Sequence, residues 1–323
     1  MKKVLIHLLF FLFLMSCTAS QEGEEGELLF IEPTVEDGFH YPYFLFIPKQ
    51  VSRVNRSFLI IEPNNSGFIE DDLEKHIESA KLTATKDFYL GNYLASHLKY
   101  PLLVPVFPRP ETEWHIYTHD LDRDVMLQKG NSLERIDKQL VRMFEDARSR
   151  LDNKNIPTEN QFLLTGFSAS GSFANRFTIL HPDQVFAVAA GGTSGLLMLP
   201  IDSLDNERLN YPIGTGDLKE IINEEFSKKA FLNTPQMYFY GKLDSNDALP
   251  YNDAFDRLER EQVYELIGEE MYPERWEKCK TIYREQQVNA LLKTYENVGH
   301  GHPEQVKKDV LAFFEATLKK AGY

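Results

Sequence analysis

Short runs of branched and aromatic residues alternate along the chain with longer stretches whose apolar residues recur at helical spacing. Leu28 to Ile31 and Tyr43 to Ile47 read as strands joined by a turn at Asp37-Gly38. Phe58 to Ile61 reads as a third strand that stops at the turn-rich Pro63-Asn64-Asn65-Ser66-Gly67. Asp71 to Leu98 carries helical spacing, and Leu102 to Val106 is the next strand. Ser132 to Leu151 predicts an amphipathic helix, with Leu133, Ile136, Leu140 and Phe144 on one stripe and Ser132 and Glu134 in a first turn suited to capping. Gln161 to Thr165, Val185 to Ala190, Gln236 to Tyr240 and Leu291 to Tyr295 supply further strands, with helices over Ala169 to Leu180 and Pro303 to Lys320. Strands interleaved with helices in this way predict an α/β protein of three layers, a mostly parallel central sheet with helices on both faces. Two stretches break the rhythm. Glu111 to Asp124 is a long loop of the kind that is usually functional or disordered, and Leu196 to Asn233 reads as an insertion over one end of the sheet.

The N-terminus follows a different pattern. Met1-Lys2-Lys3 and the apolar run from Val4 to Met15 have the form of a secretory signal, and the run is too short to span a bilayer. It ends in Leu14-Met15-Ser16-Cys17, which resembles the bacterial lipobox, so 1–17 is expected to be a lipoprotein signal with Cys17 as the lipidation site. The small, acidic residues of 18–27 are expected to form a flexible tether, leaving 28–323 as a single domain. The expected location is the envelope of a bacterial cell, on its periplasmic or surface face. Removing Met1 to Cys17 takes away two lysines and no acid, so 35 Lys+Arg against 49 Asp+Glu becomes 33 against 49, a net charge of −16. Such a chain repels nucleic acid and anionic headgroups, which leaves the acyl chains as the membrane contact. Cys279 is then the sole remaining cysteine and reads as structural. The nine histidines form no metal-binding spacing, and neither a metal nor a cofactor is expected.

The chemistry concentrates in Thr165-Gly166-Phe167-Ser168-Ala169-Ser170-Gly171, where a buried strand runs straight into a helix through small residues. Ser168 in such a turn stands above the sheet at a helix N-terminus, where amides can meet a developing oxyanion. A serine hydroxyl needs a base to act as a nucleophile. Val298-Gly299-His300-Gly301-His302-Pro303 supplies one between the last strand and the last helix, with His300 freed by glycines on both sides and His302 at the helix start. The acid that would orient the imidazole lies in Gly241-Lys242-Leu243-Asp244-Ser245-Asn246-Asp247, as Asp244 or, alternatively, Asp247. Each residue taken singly could be an ordinary loop residue. Together they follow the order Ser, Asp, His at the carboxyl ends of three predicted strands.

These segments resemble the nucleophile elbow and catalytic loops of the α/β-hydrolase superfamily, in particular its bacterial esterase, depolymerase and prolyl-oligopeptidase-like members. Ser170 departs from the G-x-S-x-G pattern, standing where the last glycine usually is, with Gly171 following. Asp120-Leu121-Asp122-Arg123-Asp124 also resembles a segment of poorly characterised bacterial members. The resemblance implies an oxyanion hole formed by the amide of Ala169 and one from the Asn64-Gly67 turn, with Asn65 the choice. It also implies that the Trp114 to Asp124 loop overhangs the site, so that Asn64, Trp114, Tyr117 and His119 are candidate substrate contacts or else solvent-facing loop residues. The expected substrate is a small or polymer-borne carboxylic ester. A peptidase or amidase is the alternative, made less apt because no propeller domain precedes the catalytic region; a binding lipoprotein that has lost turnover is another.

Overall fold

The computed structural model describes residues 19–22 and 25–323, so the lipobox-like Cys17 lies outside the described residues. Strands β1 (Ala19–Glu22), β2 (Gly26–Ile31), β3 (Tyr43–Pro48) and β4 (Ser57–Ile61) lead into helices α1 (Leu73–Thr85) and α2 (Leu90–Leu98). After β5 (Leu102–Pro105) come α3 (Arg123–Met126), α4 (Ile136–Asn153), β6 (Thr158–Phe167), α5 (Ala169–Leu180) and β7 (Val185–Gly191). A small hairpin of β8 (Ser203–Leu204) and β9 (Glu207–Arg208) precedes α6 (Leu218–Ile222), α7 (Lys228–Asn233) and β10 (Gln236–Gly241). The chain closes with α8 (Arg257–Leu266), α9 (Trp276–Glu285), β11 (Ala290–Tyr295) and α10 (Glu304–Ala321).

Nine of these strands form one sheet in the order β1-β2-β3-β5-β4-β6-β7-β10-β11. Every pair from β5 to β11 is parallel, and β1, β2 and β3 run antiparallel at one edge. Strands β4, β5 and β10 are buried along their whole length, which is why they read as unbroken apolar runs: helices cover both of their faces. On one face, Ala84 of α1, Leu94 of α2 and Val310 of α10 pack over Ile60 and Leu163. On the other, Phe144 of α4, Phe173 of α5 and Trp276 of α9 pack over Leu59, Leu164 and Tyr238. This is the three-layer arrangement that the alternation of elements predicts. Leu196 to Leu199 are buried in the second of these cores with α5 and α9, and Cys279 is buried there too, its sulfur accepting from the Leu197 amide at 3.4 Å. Burial pushes the Cys279 thiol up to about 12, out of the range of a reactive thiolate.

Three elements differ from the sequence reading. The helix expected from Ser132 begins at Ile136, because Arg135 turns into the left-handed region at φ 51° and forks onto the buried Asp137 at 2.9 and 2.7 Å. The Ser132 hydroxyl meets the Tyr41 hydroxyl at 2.7 Å instead of capping a helix. The single helical stretch of Asp71 to Leu98 is two helices, the first started by Asp72, which accepts from the Glu74 amide. The break is stabilised by Asn92, whose Nδ2 donates to the Ala84 carbonyl at the end of α1. In the expected tether, Ala19–Glu22 pairs with β2 at the sheet edge. Main-chain ladder bonds there need no apolar side chain. Among the described residues no helix is long and apolar enough to cross a membrane.

Candidate active site

Strand β6 delivers Ser168 to the first turn of α5 with φ 62° and ψ −129°. A serine held there stores roughly 1–3 kcal/mol of backbone strain, so the surroundings must enforce it. The Ser168 amide donates to the Gly191 carbonyl at the end of β7 (2.9 Å). Gly166 and Gly171 allow the close approach: a Cβ on either would overlap the carbonyl oxygen of Ser170 or Gly191. Ser170 clamps the turn, its hydroxyl donating to the Phe167 carbonyl (2.9 Å) and accepting from the Phe167 amide (3.0 Å). A residue that departs from the usual glycine therefore ties down the same bend through its side chain.

The loop after β11 brings His300 back over this turn, with its ring against Phe167 (4.8 Å between centroids). Ser168 Oγ lies 3.0 Å from His300 Nε2. On the far side of the ring, Nδ1 lies 3.0 and 3.2 Å from the two carboxylate oxygens of Asp244, in the loop after β10. A carboxylate can only accept, so Nδ1 carries the proton and Nε2 is left to accept from the serine hydroxyl. The Asp244 carboxylate is 1% exposed, against 27% for the His300 side chain, which places the charge at the dry end of the relay.

Asp247, the other candidate acid, is committed elsewhere. Both of its oxygens accept from the guanidinium of Arg275, which has no solvent exposure. His302 is buried at the start of α10, its ring edge-on to Phe167, and burial lowers its pKa to about 4. Two groups near the relay carry no sequence signature. Asn246 Nδ2 lies 3.1 Å from His300 Nε2, where it competes with the Ser168 hydroxyl for the one lone pair, while the Asn246 amide donates to Asp244 at 2.9 Å. Ser194 donates to the Asn246 carbonyl and accepts from the Ala248 amide, fastening the acid loop to the glycine-rich turn after β7. Only that turn's position at a strand end hinted at this role.

A cleft of about 390 Å³ opens at the serine, lined by Glu62, Asn65, Phe88, Tyr89, Ser168, Asn246 and His300 among others. Ala169 is the first residue of α5, so its amide has no carbonyl one turn back to bond. Asn65 lines the same cleft, held by its Nδ2 on the Phe167 carbonyl at 3.4 Å, and its main-chain amide makes no hydrogen bond among the described residues.

The other proposed substrate contacts lie outside the cleft. Asn64 is fully buried, bridging the amide and carbonyl of Phe107 at 3.0 and 2.9 Å. His119 is buried beside it, on the same carbonyl, and burial drives its pKa down to about 3. Tyr117 lies under the Arg109 guanidinium (3.6 Å), and Trp114 is 46% exposed. The loop folds away from the cleft because Asp120 pairs with the buried Arg176 of α5, Asp122 caps α3, and Arg123 pairs with Asp217 at 2.6 Å. Charged residues that read as a family-like motif are thus a bracket between α5 and the 196–233 segment. Among the described residues no group of three or more His, Cys, Asp or Glu is placed to hold a metal ion.

The architecture matches solved structures across almost its whole length. It superposes on a poly(aspartic acid) hydrolase from Sphingomonas sp. KT-1 with a TM-score of 0.56 at 14% identity, covering 92% of this chain and 97% of that one. It superposes on a poly(3-hydroxybutyrate) depolymerase from Bordetella parapertussis with a TM-score of 0.55 at 13% identity, covering 93% and 90%. This chain has the α/β-hydrolase fold. No family model and no curated protein matches the sequence. The fold places Ser168, Asp244 and His300 after β6, β10 and β11, at the carboxyl ends of three parallel strands.

Proposed function

We propose that this protein is a serine hydrolase that cleaves a carboxylic ester through an acyl-enzyme. The supporting observation is the continuous relay from Ser168 Oγ through His300 to Asp244, with 3.0 Å at each link. In the first half-reaction His300 Nε2 takes the hydroxyl proton while Oγ bonds to the carbonyl carbon. The amides of Ala169 and Asn65 hold the oxyanion, and Asp244 stabilises the imidazolium. The intermediate collapses as the ester C–O bond breaks and Nε2 returns its proton to the departing alkoxide. Water then attacks the acyl carbon as His300 takes one of its protons, the imidazolium returns that proton to the departing Ser168 Oγ, and the acid released ionises to the carboxylate.

Fluorophosphonate labelling tests this reading. The purified protein is expected to take up one equivalent, and the Ser168→Ala variant none; absence of labelling, or labelling that survives the substitution, removes it in favour of a fold kept for binding. The names of the two similar structures make a polymer-borne substrate a fitting choice, and one of them admits an amide reading. Comparing p-nitrophenyl acyl esters with aminoacyl nitroanilides separates the two, and a strong amide preference would make the protein a peptidase or amidase.

The export and anchoring of this hydrolase on the cell envelope are part of the proposal and rest on the sequence around Cys17. Metabolic labelling with a fatty acid is expected to mark the full chain and to be lost in Cys17→Ser. Absence of label from the full chain would make the N-terminus a plain export signal, and equal labelling of both would put the lipid at another residue.

A further inference from the structure

Glu62 follows the last residue of β4 and is 3% exposed, yet it lines the same cleft as Ser168. Its Oε2 accepts from the Gly91 amide in the first turn of α2 at 2.6 Å. Gly91 is there by necessity, since a Cβ would meet that oxygen at 2.7 Å. Its Oε1 makes no hydrogen bond among the described residues and is not enclosed by protein, so it opens on the cleft. An oxygen of a largely buried carboxyl that faces the cleft is free to bond whatever occupies it. No step of the proposed hydrolysis uses it.

We propose that Glu62 forms a subsite in which its carboxylic acid, with Oε2 held by Gly91, donates a hydrogen bond from Oε1 to a neutral, accepting oxygen of the substrate, a carbonyl or ether oxygen beyond the scissile ester. This rests on the hydrolase reading and narrows its substrate to oxygenated esters. The cleft lining supports a neutral partner: it contains no lysine or arginine to receive an anion, and its other polar side chains include Asn65, Ser66, Thr83 and Asn246. An ammonium group would require a buried acid to ionise, and burial opposes that by pushing the Glu62 pKa up to about 8. The other titratable side chains of the cleft are Tyr89, His300 and His302. Burial moves Tyr89 up and His302 down to about 4, so neither changes charge between pH 7 and pH 9. Lys307 of α10 directs its ammonium to the Asp87 carbonyl at 3.0 Å, not to Glu62.

The test compares kcat/KM for p-nitrophenyl butyrate, 3-methoxybutyrate and 3-aminobutyrate, each divided by its spontaneous hydrolysis rate to remove intrinsic ester reactivity, and takes ratios at a single pH so that the chemistry of His300 cancels. At pH 7 the methoxy ester is expected to be favoured over butyrate by about tenfold, the value of one hydrogen bond. That ratio falls toward one at pH 9 as Glu62 loses its proton. Glu62→Gln, whose amide also donates, keeps the ratio and makes it independent of pH, whereas Glu62→Leu brings it to about one. A ratio near one in the wild type, a ratio unchanged in Glu62→Leu, one that falls at pH 9 in Glu62→Gln as in the wild type, or preference for the amino ester overturns the subsite while leaving the hydrolase intact. Failure to hydrolyse any of the three esters takes down both. The Glu62→Gln arm and the wild-type pH series stand whether or not Glu62→Leu folds.

Discussion

Replacing His300 by alanine is expected to lower kcat toward p-nitrophenyl butyrate by roughly four to six orders of magnitude, with little change in KM. Among the described residues the one nitrogen base hydrogen-bonded to Ser168 is His300 Nε2, at 3.0 Å, and without it the hydroxyl must lose its proton to water during attack. Asn246 Nδ2 on the same nitrogen is a donor and cannot substitute. Because serine and histidine act as one unit, Ser168→Ala combined with His300→Ala should be no slower than either single variant. Rates of the three variants on one ester check both statements. A His300→Ala enzyme within tenfold of wild type would mean that the relay is not the machinery.

Exchange of Asp244 for asparagine is expected to reduce kcat by about ten-thousand-fold, through the proton on the ring rather than through the loss of a contact. Both Asp244 oxygens face Nδ1. An asparagine keeps one acceptor but can turn its NH2 to that nitrogen, which puts the ring proton on Nε2 and leaves nothing to accept from Ser168. Asp247→Asn separates the two acids. It strips the charge partner from Arg275, a guanidinium with no solvent exposure, so it should cost about 3 kcal/mol of stability while folded enzyme keeps its kcat. Thermal melts and kinetics of the two variants, side by side, decide the matter. If Asp247→Asn is the inactive one and Asp244→Asn the unstable one, the assignment is reversed.

Much of this was legible in the chain because it is local. Phe58 to Ile61 and Gln236 to Tyr240 announce buried strands by lacking polar alternation, and the start of a helix right after Thr165-Gly166-Phe167-Ser168 marks the sharp turn. What escaped depends on partners far along the sequence. Asn64 has the look of a turn residue at the mouth of a site, but Phe107, 43 positions on, claims its amide. Ser132 looks like a cap until Arg135 finds Asp137 and delays the helix. Glu62, just past the strand that ends at Ile61, goes unnoticed in the sequence, and only the approach of Gly91, 29 positions away, marks it as a largely buried acid. Choosing between Asp244 and Asp247 likewise needed the position of Arg275, which no spacing within the loop encodes.

In the proposed reaction each ester cleaved at Ser168 would leave a carboxylate in a cleft whose described lining includes no lysine or arginine. Once His300 has passed on its proton, no cationic side chain of that lining is left to pair with the carboxylate, and the whole chain carries a net charge of −14. Repulsion between this acid and the acidic protein would then favour its departure over its retention.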